Sequence, residues 1–207
     1  MKTLTKYLNE RLVIIFPSQV DEKLVINKDY NDPYTYDPTS FDELRKIIED
    51  RYDKLGPGTK DKPVDFNDVD VSNVDSFYNK DTHNGIFNET KFEYIDISDW
   101  NVSNVKNMVG MFYKCKQLKS VGDLSNWDVS NVEDMTTMFF DCKQLKSVGD
   151  LSKWNILHVK YMSYMFNNCE QLKSVGDLSN WNVSKVNYMN DMFYNSGIIN
   201  IPKWYKK

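Results

Sequence analysis

Trp100, Trp127, Trp154 and Trp181 stand 27 residues apart, and one phrase surrounds each of them. It reads D-L-S-x-W-x-V-S-x-V-x-x-M-x-x-M-F-x-x-C-x-x-L-x-x-V. Its first methionine is Met108, Met135, Met162 and Met189, and its second is Met111, Met138, Met165 and Met192. Phe112, Phe139, Phe166 and Phe193 follow. A fixed period in this range means that each repeat is one supersecondary unit. Such a unit cannot bury its apolar face alone, so it stacks on its neighbours. The sequence therefore predicts one elongated repeat body, a solenoid.

Within a repeat, Val105, Met108, Met111, Phe112 and Cys115 are spaced i, i+3, i+6, i+7, i+10, which predicts one face of a helix. Ser103, Ser130 and Ser184 precede this run and suit an N-cap, and Ser130 with Glu133 has the form of a capping box. Leu157 replaces the serine in one repeat, predicting a helix start weaker by about 1 kcal/mol. The segment L-K-S-V-G-D-L-S, and Tyr94–Ser98 in the first full copy, read as short strands. Strand, loop and helix recurring in order predict parallel strands joined by right-handed crossovers.

The repeat extends beyond its clearest copies. Asp65 to Val74 aligns with Asp123 to Val132, with Val69 in the place of tryptophan, and an insertion around Lys80 to Asn84 lengthens that copy. Ile199 to Trp204 matches a strand with its tryptophan, as a degenerate terminal repeat would. Upstream, Lys23–Asn27 reads as a strand and Ser40-Phe41-Asp42-Glu43 as a capping box. Phe41, Leu44, Ile47, Ile48, Tyr52 and Leu55 form a helical stripe, Gly56-Pro57-Gly58 stops it, and Val64–Phe66 is the next strand. The predicted divisions are an N-terminal segment at 1–19, with a short helix over 3–16, then a βαβ cap at 20–66 and the repeat body at 67–207.

Composition narrows the class. Hydrophobic residues at 41% can outweigh chain entropy, which argues against disorder. A net charge of −4 without a basic block argues against nucleic acid as a partner. No run is long enough to span a bilayer, so no membrane partner is expected. Leu12–Phe16 is too short and too charged in its flanks for a secretory signal. The chain reads as unexported, cytoplasmic or particle-associated, and as a cell-surface protein if a leader was removed. Cys115, Cys142 and Cys169 occupy one repeat position and are odd in number, which predicts buried thiols rather than a disulfide framework.

The phrase W-D/N-V-S-N-V-x-x-M-x-x-M-F-x-x-C-x-x-L, clearest at Trp100–Leu118 and Trp127–Leu145, resembles the BspA-type leucine-rich repeat surface proteins over residues 64–204. The resemblance implies an α/β, LRR-like right-handed solenoid, with parallel strands on one face and short helices on the other. It also implies a non-enzymatic binding or adhesion role. Separately, Met1–Glu10, with Leu8-Asn9-Glu10 in the form of an L-x-E cleavage site, resembles the head-targeting segments of tailed bacteriophages. That likeness implies a virion-associated protein as the alternative function.

Candidate site residues follow the register. Asp96, Asp123, Asp150 and Asp177, with Ser98, Ser125, Ser152 and Ser179, form either an outward acidic and hydroxyl stripe or a set of local backbone bonds in a bend. Outward, they would meet a protein or glycan partner, or a cation, although no EF-hand spacing supports calcium. Lys119, Lys146 and Lys173, with Lys116 and Lys143 nearby, form a row that either offsets the aspartates or meets an anionic ligand. The tryptophans read as buried with bonded N–H groups, or as a sugar-stacking ladder. The methionine pairs read as core. His83 and His158 lack zinc-ligand spacing. No nucleophile elbow, phosphate loop or dinucleotide fingerprint is present, so neither a cofactor nor catalytic residues are expected. A glycan-active enzyme is the minor reading.

Overall fold

The computed structural model describes residues 35–206. The expected helix over 3–16, the strand at Lys23–Asn27 and the Leu8-Asn9-Glu10 site lie outside the described residues.

Helix α1 (Phe41–Leu55) forms where its caps predict. Ser40 accepts the Glu43 N–H, and Glu43 reaches back to the Thr39 N–H at 2.8 Å. Gly56 closes the C-terminal end at φ 72°, with its N–H on Tyr52 O. Leu44, Ile47 and Ile48 are buried, while Leu55, at the end of the expected stripe, is 60% exposed. Strand β1 (Val64–Asp65) pairs in parallel with a strand one repeat later, Ile95–Asp96, in register Val64↔Ile95. Between them the insertion folds as a hairpin of β2 (Tyr78–Asn79) and β3 (Asn84–Gly85), which makes Ile95–Asp96 β4.

The repeats themselves correct the expected α/β, LRR-like right-handed solenoid of parallel strands on one face and short helices on the other. Among the described residues α1 is the one α-helix, and it lies outside the repeats. No continuous parallel sheet forms along them. Past β4 the layers meet through single parallel bridges, such as Asn107↔Asp134, Asp134↔Tyr161 and Tyr161↔Tyr188. The segment read as a helix is a chain of turns. Met111, Tyr113, Cys115 and Leu118 each donate to the carbonyl three residues back. The N–H groups of Met108, Gly110, Phe112 and Lys114 leave the segment altogether, reaching Asp134, Thr136, Met138 and Phe140 O of the next repeat at 2.7–2.9 Å. An α-helix would return each of them to its own chain four residues back.

The geometry requires a left-handed residue twice per repeat. Gly110, Thr137, Tyr164 and Asp191 have φ of 51–61°, and so do Lys114, Asp141, Asn168 and Asn195 at the second position. Each left-handed residue turns the next N–H back to the same side, so alternate peptides all aim along the stack. The three-residue turn bonds still place apolar side chains three and four apart, which is why the spacing imitates a helix.

The capping expectations for the repeats fail with the helices. Ser103, Ser130 and Ser184 donate their N–H groups to Asn101, Asp128 and Asn182 side chains. Leu157 does the same to Asn155 at 3.2 Å, so losing serine there removes no cap. Glu133 makes no capping box and pairs with Lys160 across layers at 2.6 Å.

The expected core is present. Trp100, Trp127, Trp154 and Trp181 are at most 4% exposed, and their rings stack 6.4–6.5 Å apart. Trp204 continues the column 6.3 Å from Trp181, as its alignment with the repeat predicted. Phe87, Phe112, Phe139, Phe166 and Phe193 make a second column at 5.1–5.9 Å. Val69 is fully buried where tryptophan stands in later copies.

Candidate functional site

The inward columns are consumed by the fold. Each tryptophan Nε1–H donates to a carbonyl of the preceding layer: Trp100 to Phe66 O, Trp127 to Ile97 O, Trp154 to Leu124 O and Trp181 to Leu151 O. None of these four indole faces is open for sugar stacking. Cys115, Cys142 and Cys169 are free and buried, and their thiols donate to Phe87, Phe112 and Phe139 O at 2.9–3.0 Å. Burial pushes the Cys115 thiol up to about 11, and Cys142 and Cys169 are pushed up by the same cause. They are neutral packing groups with a weak donor, not nucleophiles.

The Asp and Ser row resolves into local turns. Asp96, Asp123, Asp150 and Asp177 each accept, on Oδ1, the N–H of Ser98, Ser125, Ser152 and Ser179 at 2.9–3.0 Å. The Ser98 and Ser125 hydroxyls donate to the same oxygens. These bonds hold the Asp177 and Asp150 carboxyls below their ordinary range, through the serine hydroxyl first in Asp177 and the backbone N–H first in Asp150. The row also packs between layers. A Cβ on Gly122, Gly149 or Gly176 would stand 1.8–2.4 Å from the Oδ1 of Asp96, Asp123 or Asp150. Asp150 N–H donates to Ser125 Oγ at 2.8 Å. The structure therefore assigns one oxygen of each carboxylate to its own turn.

The lysine row is partly paired. Lys119 binds Glu93 at 2.5 Å, Lys116 and Lys143 both approach Asp141, and Lys143 also reaches Glu170. Lys173 donates to Glu170 O. His83 bonds the Tyr78 hydroxyl and His158 meets Ser130 O. Among the described residues no cluster of His, Cys, Asp or Glu could hold a metal ion.

The sequence reading missed the outer tyrosines. Tyr161 and Tyr188 occupy the bridge position held by Asn107 and Asp134 in earlier repeats. Asn107 and Asp134 accept the Val109 and Thr136 N–H groups at 2.9 and 2.8 Å, closing a turn. Tyrosine offers no such acceptor there. Instead the rings of Tyr161 and Tyr188 stack 5.6 Å apart in solvent, 37% and 55% exposed. Tyr164 and Tyr194 add rings 37% and 64% exposed. Four tyrosines thus stand outward in the two C-terminal layers, whereas Tyr113 and Phe140, at the Tyr194 position of earlier layers, are half-buried. The legible signal was departure from the repeat: a turn-forming residue exchanged for an aromatic one at an outer position.

Beyond them, Asp191, Phe193, Tyr194, Asn195, Ser196, Ile198, Ile201 and Tyr205 line a cleft of about 560 Å³ at the C-terminal end of the stack. Ile199 beside it is 80% exposed.

The model of a family described as "Mycoplasma protein of unknown function, DUF285" matches residues 81–204. No curated protein and no solved structure matches the chain.

Proposed function

The chain belongs to the DUF285 family, and from that membership and the tyrosine face we propose a non-enzymatic binding module that docks a protein partner. The family is associated with BspA-like surface repeat proteins. The observation that carries the reading is the exchange at Tyr161 and Tyr188. A turn-closing side chain is given up there, and two stacked rings are left in water. Tyrosine is over-represented where interfaces concentrate their energy, because it supplies a rigid ring and a polar tip at low entropic cost. Tyr161, Tyr164, Tyr188 and Tyr194 are the contact residues of this reading.

The test is binding of the chain to immobilised cell-surface and matrix fractions, each treated in parallel with protease or glycosidase. Binding should vanish after protease, survive glycosidase, and fall at least about tenfold in a Tyr161→Ser/Tyr188→Ser variant, since two anchors together are worth more than ~1.4 kcal/mol. Asp123→Asn/Asp150→Asn should leave it unchanged. Loss on glycosidase treatment alone would transfer the reading to a glycan. Full affinity in the tyrosine variant would remove the face from the argument.

A further inference from the structure

The hydrogen bonds between layers along the M-x-x-M-F segments run one way, while Lys106, Glu133, Lys160 and Asn187 N–H donate back to Asp75, Lys106, Glu133 and Lys160 O. Phe87 N–H donates to Met111 O, Phe112 to Met138 O, Phe139 to Met165 O and Phe166 to Met192 O, all at 2.8–2.9 Å. Parallel columns pass through Met108, Gly110 and Lys114 and their equivalents. The peptides in each column are aligned head to tail, so their dipoles add as they do in a helix. In these columns carbonyls face the N-terminal end of the stack and N–H groups face the C-terminal end.

The two ends are treated differently. At the first layer Ile86 O and Asn88 O occupy the places whose later equivalents accept a preceding repeat's N–H groups. The Arg45 guanidinium of α1 takes both, at 2.8 and 3.5 Å. The negative end therefore carries a cation and a covering helix. At the last layer, Met189, Asp191, Phe193 and Asn195 hold the donor positions. None of the four N–H groups has a main-chain acceptor among the described residues. Asp191 and Asn195 keep the left-handed φ of their upstream equivalents, both at 51°, so the row retains the aim it has in bonded layers. The cleft lies along this row, with Tyr205 edge-on to Phe193 and its hydroxyl meeting the Met192 and Phe193 N–H groups, which leaves Met189, Asp191 and Asn195 as the open donors.

We propose that this edge is a docking site for the main chain of another polypeptide, which adds one repeat-like layer by presenting carbonyls at every second residue. The donor spacing names the occupant, because the bonded layers show what satisfies it. An extra strand on an open edge is an established mode of peptide recognition, with main-chain bonds supplying affinity and side-chain pockets supplying selectivity. The exposed Asp191 carboxylate disfavours an inorganic anion on the same donors. A second copy does not offer its first layer, because Arg45 already holds those carbonyls. The occupant's apolar side chains would enter the cleft beside Phe193 and Ile201.

The proposal rests on main-chain donors and not on the tyrosine face. The probe is a synthetic peptide with the sequence of residues 182–196, a copy of the last layer's own M-x-x-M-F segment, with a scrambled peptide as control. Amide exchange of the full chain is followed during titration. Exchange at Met189, Asp191 and Asn195 should slow at least about tenfold at saturation, with no slowing by the scrambled peptide. Ile201→Glu, at the cleft wall, should abolish the protection, and Tyr161→Ser/Tyr188→Ser should keep it. Three outcomes overturn the proposal. These are no protection at millimolar peptide, equal protection by sulfate alone, which would make the row an anion nest, and concentration-dependent protection without peptide, which would give the edge to a second copy.

Discussion

Gly110→Ala separates the turn architecture from the helix that the spacing suggests, because the two give opposite signs. Gly110 sits at φ 58°, and a Cβ there would meet nothing closer than Tyr113 Cβ at 3.4 Å and Thr137 Oγ1 at 3.7 Å. Space is therefore not the issue, and the backbone conformation decides. In a helix, alanine for glycine stabilises by about 0.8–1 kcal/mol. In the left-handed region an L-residue costs roughly 1–2 kcal/mol. Restricting the unfolded chain returns about 0.4–1 of that. The net expectation is a loss near 1 kcal/mol, or ~2–4 °C in Tm for a chain of this size. Thermal and urea unfolding, read by tryptophan fluorescence, check it. Thr137→Gly should move the other way, since a β-branched residue stands at φ 54° in the next layer. Gly85→Ala is the internal contrast: its Cβ would stand 2.1 Å from Gly110 O, so main chain must move and the loss should reach roughly 3 kcal/mol or more. A rise in Tm for Gly110→Ala would refute the reasoning.

Trp154→Phe removes the 2.9 Å bond to Leu124 O, which keeps its second donor, Trp127 N–H, so urea titration should show a loss of about 1–2 kcal/mol. Arg45→Met uncovers two carbonyls at the negative end and should cost about 1.5–3 kcal/mol, with faster amide exchange concentrated in the first layer. Asp128 and Asp177 (serine hydroxyl first, then serine N–H) and Asp150 (N–H first) are held below their ordinary range. Their stabilisation is present above the unfolded value near ~3.9 and lost as pH falls through the folded one. Tm against pH should therefore drop below about pH 4, and Asp150→Asn should flatten that limb. The Cys115 thiol moves the opposite way, from 9.0 to about 11. Its contribution is full below pH ~9 and is lost as pH rises toward 11. Urea midpoints from pH 8 to 11 should fall more steeply in the native chain than in Cys115→Ala.

The apolar positions were legible because burial repeats with the chain. Trp127, Met135, Met138, Phe139 and Cys142 are buried as their register predicted. The helix assignment failed because side-chain spacing reports which residues face inward, not where the N–H groups go. Turns closed by three-residue bonds and reset by a left-handed residue place Met108, Met111, Phe112 and Cys115 inward as a helix would. Thr137 and Tyr164 hid the reset, because neither residue type advertises a positive φ. The Asp row was legible as a row, and its bend was one of the two readings open. The tyrosine face was legible only as a departure at Tyr161 and Tyr188.

The sequence by itself determined the period, the register, the core residues and the α1 caps, because each depends on local chemistry or on burial recurring every 27 residues. Only the tertiary structure decided that alternate N–H groups bond the next layer instead of their own chain. From that choice come the aligned dipoles of those columns, the Arg45 cap at one end and, at the other, a donor row without main-chain acceptors among the described residues. A main-chain donor carries no side-chain signature, so its partner becomes visible only when the layers are brought together.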